Sequence, residues 1–233
     1  METATRRLLE WTARIGLLAA AVTAAAEPSI VKLEPFDAVE LRDGGSVVVR
    51  PGAVRQATFL RGSARYSSAE VSNRRLIITS CARPCPPDYD LEVEVSTPEL
   101  AAVAVANGGS IEVHGAFPVQ STLAVAVEQG GALDVRALAA DEVTAAVHSG
   151  GWILTTPRRS LLASVADGGV ITYWGEPQVQ SAVEHGGNVG RGSAADARRS
   201  LADLKPRVPH LPALAPVPAV PPVPPVPGAP PSR

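Results

Sequence analysis

Several patterns that mark a chemical site are missing from this chain of 233 residues. No charge dominates: 21 Lys and Arg against 23 Asp and Glu leave a net charge of -2, which argues against a general nucleic-acid binder. There is no Ser/His/Asp set, no nucleophile elbow and no phosphate loop. His114, His148, His185 and His210 are scattered without metal-ligand spacing, and no motif calls for a cofactor. Cysteine is down to two residues and aromatics to 4%. Past the first 26 residues nothing approaches the roughly 20 apolar residues of a membrane span. What is plentiful narrows the rest. A 45% hydrophobic content excludes disorder throughout, while 20 Gly and 22 Pro argue against a compact helical enzyme. The length suits one sizeable domain with appendages.

Two appendages stand out. Residues 1–26 carry Arg6, Arg7 and Arg14, an apolar run from Ile15 to Val22, and Ala24, Ala25 and Ala26 before Glu27. That order of basic, apolar and small residues is a cleaved secretory signal peptide, and the apolar run is too short for an anchor. The expected location is therefore the periplasm, the outer cell surface or the medium, with no transmembrane segment in the mature chain. Residues 205–233 hold 12 prolines and a charge of +3, leaving -6 on residues 27–204. Proline fixes φ and lacks an amide donor, so this tail reads as an extended, disordered spacer. Cys81 and Cys85 share one Pro-rich loop and, in an oxidising compartment, read as a local structural disulfide.

The body is a repeat. Gly-Gly recurs at Gly108-Gly109, Gly130-Gly131, Gly150-Gly151, Gly168-Gly169 and Gly186-Gly187, in steps of 22, 20, 18 and 18 residues, with an earlier copy at Gly44-Gly45. Aligning on the glycines exposes columns. Leu41, Val105, Val127, Val147, Val165 and Val183 stand three residues before the first glycine. Val47, Ile111, Leu133, Ile153, Ile171 and Val189 stand three after it. Each copy is an alternating strand, a tight corner and a second alternating strand. One such pair cannot bury its apolar face alone, whereas copies stacked about 4.8 Å apart place like on like and satisfy each other's backbone.

The expected fold is all-β: a right-handed parallel β-solenoid of 18–22-residue coils, with an antiparallel β-sandwich as the rival. Between Gly45 and Gly108 the spacing leaves room for about three further coils. After the last copy, Ser193 followed by Asp196, with Ala197, Leu201 and Leu204 on one helical face, reads as a short capping helix over 193–204. The domain organisation is thus signal peptide 1–26, solenoid 27–192, cap 193–204 and tail 205–233.

The run Phe36 to Leu41, the Gly44-Gly45 corner with Ser46 to Val49, Arg75 to Ile78, Leu91 to Val95, Pro98 to Leu100 and the Gly-Gly units to Gly187 together resemble one family. It is the putative auto-transporter adhesin head GIN domain, and the resemblance spans roughly residues 30–192. It implies a β-helix-like solenoid behind a signal peptide, and no catalytic motif to carry over. This chain departs from the family's frequent Ser-Gly-Ser-Gly corner, and its cysteine loop and proline tail lie outside the family pattern.

Candidate contacts follow from position. The residue before each Gly-Gly is polar in every copy: Asp43, Asn107, Gln129, Ser149, Asp167 and His185. Stacked, they line one edge as a glycan- or peptide-binding row, although such residues also bond their own backbone at corners, which is the favoured account. Trp152 alternates outward, where an exposed indole can stack on a sugar or anchor a partner. Tyr173 falls on the inward parity, and Trp174 covers a coil junction. Glu112 and Asp134 occupy equivalent outward positions, but Leu154 and Thr172 break their row and no cation stands by, so catalysis is disfavoured. Asp88, Asp90, Glu92 and Glu94 spread along an extended strand too long to converge on one calcium ion and read as a solvated charged face. The expected protein is an exported, non-enzymatic module that binds a cell-envelope glycan or protein and no nucleic acid. A periplasmic scaffold acting through its tail comes second, and a polysaccharide-active enzyme third.

Overall fold

The structure, a computed structural model, describes residues 28–204; the expected signal peptide and proline-rich tail lie outside the described residues. The chain runs through β1 (Ser29–Lys32), β2 (Ala38–Arg42), β3 (Ser46–Pro51), β4 (Gln56–Arg61), β5 (Ser68–Ser72), β6 (Arg75–Thr79) and β7 (Glu92–Thr97). It continues through β8 (Ala102–Ala106), β9 (Ser110–Val113), β10 (Gln120–Glu128), β11 (Ala132–Asp134), β12 (Ala140–His148) and β13 (Trp152–Thr155). The last elements are β14 (Pro157–Ala166), β15 (Val170–Tyr173), β16 (Gln178–Glu184), β17 (Asn188–Arg191) and α1 (Leu201–Leu204).

The fold is all-β, with almost no helix among the described residues. Two large, mostly parallel sheets face each other and close into no barrel. One runs β1-β4-β7-β3-β9-β11-β13-β15-β17, the other β16-β14-β12-β10-β8-β2-β6-β5. The chain crosses from the second sheet to the first at every Gly-Gly corner, so each copy contributes one strand to each sheet. Copies stack in parallel register: Leu41 pairs with Val105, which pairs with Val127, then Val147, Val165 and Val183. Opposite them Val47 pairs with Ile111, and the row continues through Leu133, Ile153, Ile171 and Val189. Most of these side chains are buried in one continuous core between the sheets. Fully burying an aliphatic side chain stabilises by about 1.5–3 kcal/mol, so the two rows are the main source of the stack's cohesion. Parallel pairing across the repeat removes the antiparallel sandwich.

The interval between Gly45 and Gly108 differs from its expected three copies. It holds one, β6 with β7, and this copy stacks on the far side of β2 and β3. The Gly44-Gly45 copy therefore sits directly against the Gly108-Gly109 copy. The remaining residues form β4, antiparallel to β7, and β5, antiparallel to β6, with β1 antiparallel to β4 at the margin. An end of a stack must manage its open edges, and these short antiparallel strands do so here. In the β6–β7 copy the Gly-Gly corner is replaced by residues 80–91. Leu91 C=O accepts from Ser46 N–H at 2.8 Å, as Gly45 C=O does from Ser110 at 3.0 Å. The enlarged corner carries the Cys81–Cys85 disulfide, Cα–Cα 5.8 Å.

The helix expected over 193–204 is reduced to a 3-10 turn at Asp196–Arg198 and the single turn of α1. Ser193 Oγ accepts from Asp196 N–H at 3.1 Å and Ser200 Oγ from Asp203 N–H at 3.3 Å, so the segment starts a helix twice. Between the two starts Arg199 is extended, with φ -80° and ψ 143°. Of the three residues expected on one face, Leu201 is buried and Ala197 exposed. Leu201 packs with Ala132 of β11 and Leu154 of β13, so the segment lies as a strap across the outward face of the first sheet.

Candidate functional site

The corner row is built by backbone geometry. Asp43, Asn107, Gln129, Ser149, Asp167 and His185 all have φ between 51° and 61°, the left-handed region that L-residues enter only as single, strained positions. In the first five the amide is satisfied by the next copy: Asn107 N–H donates to Glu128 C=O at 3.1 Å, Gln129 to His148 at 2.9 Å and Ser149 to Ala166 at 3.0 Å. The corner thus fixes each backbone and throws each side chain out. All six are exposed. Some bond along the row: Asn107 Nδ2 donates to Asp43 Oδ1 at 2.9 Å, and Asp167 lies 3.2 Å from His185 Nδ1 and 4.0 Å from His148 Nδ1. Turn chemistry explains why polar residues stand there. Their outward projection at strand spacing makes them a regular line of donors and acceptors.

The two glycines of a corner do different work. Gly130, at φ 83°, has open space where a Cβ would go, so only its backbone conformation selects glycine. At Gly131, φ 107°, a Cβ would fall 2.6 Å from Val105 Cγ1 and 3.1 Å from Gly109 C=O. The second glycine is where one copy's corner touches the copy below. Gly45, Gly109, Gly151, Gly169 and Gly187 repeat that crowding, and Gly44, Gly108, Gly150 and Gly186 the openness. Gly168 has one distant neighbour.

Trp152 points outward, but it is half-buried against Ala132, Leu154 and Leu201 of the strap contact. Tyr173 packs on the main core, as its parity requires. Trp174 joins the outer cluster and donates from Nε1 to Ser193 C=O at 2.9 Å. Glu112 and Asp134 are paired across β9 and β11. Against the expectation that no cation stands by, Arg136 does. Its Nε donates to Asp134 Oδ1 at 2.9 Å and its NH2 to Oδ2 at 2.5 Å. The same guanidinium donates to the carbonyls of Asp196, Ala197 and Arg199, at 3.1, 3.0 and 2.6 Å, and lies 5.2 Å from the Trp174 ring. Hydrogen bonding to Asp134 raises the Arg136 pKa above its ordinary value despite partial burial. Asp134 is only 8% exposed and both its oxygens accept from Arg136, which leaves neither oxygen free to face a substrate. Glu112 faces His114 at 3.3 Å. These groups, with Arg198 and Arg199, line a shallow depression of about 440 Å³. Arg136 stands in the turn just after β11, where its backbone N–H also donates to Asp134 Oδ1 at 3.1 Å.

The acidic run is dispersed as its geometry requires. Arg61 meets Asp90 at 3.1 Å and Glu92 at 3.4 Å, and Arg50 meets Glu94 at 2.9 Å. Among the described residues no cluster of His, Cys, Asp and Glu could hold a metal ion. No helix of these residues is long and apolar enough to cross a membrane. His210 lies outside the described residues.

Copies β10 to β15, with their stacked corners, are the most regular part of the described residues. They also carry the family signal. Residues 119–177 match the family model of the putative auto-transporter adhesin head GIN domain. The chain is also similar to solved structures. A putative adhesin from Bacteroides fragilis is 17% identical, covers 71% of this chain and 96% of its own, and has a TM-score of 0.42. A putative cell adhesion protein from Clostridium sporogenes is 10% identical, with 71% and 99% covered and a TM-score of 0.32. A putative lipid binding protein from Parabacteroides distasonis is 13% identical, with 72% and 96% covered and a TM-score of 0.30. No curated protein matches the chain.

Proposed function

We propose that this chain is an exported, non-enzymatic right-handed β-solenoid that acts as an adhesion-like, cell-envelope binding module. The carrying observation is the corner row. Six exposed polar side chains, one at each Gly-Gly corner, stand at strand spacing of about 4.8 Å along one edge of a rigid stack. A polymer with its own repeat, such as an envelope glycan, meets such a row with many weak contacts whose entropy cost is reduced because the row is held in place. The match of residues 119–177 to an adhesin-head family supports the same reading and an extracellular or surface location. Trp152, half-covered by the strap, is an anchor at most at its exposed edge, and the corner row bears the recognition. The Asp134 clasp favours a structural over a catalytic role for the carboxylate pair.

The test exploits the left-handed corner. Gln129→Gly, Ser149→Gly and Asp167→Gly relieve backbone strain while deleting side chains. Binding of the purified triple variant to isolated envelope polysaccharide and to whole cells is compared with that of the parent chain. Recognition by the row requires binding to fall at least about tenfold while thermal stability holds or rises. A variant that is more stable and binds undiminished would reduce the row to turn chemistry and sink the proposal. Protease shaving of intact cells adds the location: loss of the protein places it on the surface.

A further inference from the structure

The two ends of the stack are unlike. At one end the marginal strands are β1 and β5, of four and five residues, both antiparallel to their neighbours, and β1 ends in Lys32. The corner loop with its disulfide lies nearby, and the inward Val31, Leu33 and Val71 are partly buried against the core. At the other end β16 is a seven-residue strand, parallel to β14, with no Lys, no Pro and no bulge. It is the last strand of its sheet, and β17 the last of the other. The inward row that is buried at Val165 emerges here: Val183 is 45% and Val179 36% exposed. The strap that follows β17 turns onto the outward face at β11 and leaves the edge open among the described residues. A seven-residue edge whose one charge, Glu184, stands at its end and whose apolar row is uncovered is the feature that soluble proteins avoid unless something pairs with it.

We infer that a second copy of this chain occupies this edge, giving a two-fold, end-to-end dimer through β16. Antiparallel pairing of β16 with itself, centred on Ser181, sets Val179 against Val183 of the other copy, both on the inward face. The same register sets Glu184 against Gln178, so no like charges meet. Because the contact is isologous, with each copy presenting the same edge to the other, it closes on itself as a dimer and does not propagate into a fibre. The tail is a poor alternative occupant: residues 205–233 never run more than three residues without a proline, and a ladder needs an amide at every second position.

The test uses the full chain purified from an exporting host. Sedimentation at about 20 µM is expected to give twice the chain mass. Val179→Lys with Val183→Lys is expected to give monomer, with circular dichroism and thermal midpoint retained. Ser181→Cys places two thiols at the two-fold, within the roughly 4.4–6.8 Å Cα range of a disulfide, and is expected to cross-link into a covalent dimer. Gln178→Cys, about 20 Å from its mate in this register, is expected not to. A monomeric parent chain overturns the proposal, as does a dimer that survives the lysines or fails to cross-link at 181. A chain that dimerises only after removal of 205–233 would make the tail the occupant and overturn it equally.

Discussion

At the residue scale, the corner glycines separate two causes that sequence alignment merges. Gly130→Ala meets only the backbone penalty of a positive φ, about 1–2 kcal/mol. Gly131→Ala adds the clash with Val105 Cγ1 and Gly109 C=O and is expected to cost at least about 2 kcal/mol more. Denaturant midpoints of the two variants check the order, and equal losses would refute it. Thr155 offers the reverse case. Its Oγ1 is buried with no hydrogen-bond partner, so Thr155→Val is expected to leave stability unchanged or raise it by up to about 1 kcal/mol in the same assay. Glu40, 7% exposed, answers to pH. Burial alone would raise its pKa, but hydrogen bonds from Arg42 at 2.5 Å and Arg75 at 2.8 Å outweigh this and hold it below the ordinary carboxylate range. A lowered pKa gives stability that is complete above the ordinary range and is lost as pH falls through the folded value. Unfolding midpoints measured from pH 7 down to pH 3 should therefore fall more for the parent chain than for Glu40→Gln.

At the element scale the strap is what the sequence hid. The Ser193 and Asp196 capping signal was legible and is made, but where the segment goes depends on Arg136, far away in the chain, and on side chains that only parallel stacking brings onto one face. Strand periodicity marks which residues face outward and says nothing about what later covers them. Arg136→Ala removes three bonds to strap carbonyls and strands Asp134 at 8% exposure. Breaking such a buried pair costs about 3–5 kcal/mol. Asp134→Ala with Arg136→Ala removes the stranded charge, so global stability should recover in part while the strap stays loose. Limited proteolysis should then cut between 193 and 204 in both variants at least about tenfold faster than in the parent chain. Unchanged cleavage in the double variant would show that Leu201 and Trp174 hold the strap without the guanidinium.

At the scale of the whole molecule, the rows of valine and isoleucine were readable because stacking makes sequence period and spatial period the same thing. The Gly44-Gly45 copy broke that identity: its neighbour in space is Gly108-Gly109, its next copy in sequence stacks on its other side, and no local pattern encodes that exchange. If each copy contacts mainly its two neighbours, stability is a sum of copies and their shared faces. Deleting residues 109–130 joins Gly108 to Gly131 and preserves a complete Asn-Gly-Gly corner. It should bring Val105 against Val147 and Val47 against Leu133, both matched apolar pairs, and keep the whole strap contact. The shortened chain is expected to fold and to unfold in one cooperative transition at a lower midpoint. Deleting only 109–119 removes half a copy and runs β8 directly into β10, two strands of the same sheet, with no corner to turn between them. That chain is expected not to fold. Circular dichroism and thermal denaturation of the two deletions decide the matter: a folded half-copy deletion, or an unfolded full-copy one, would mean that the copies are not the units in which this molecule is stable.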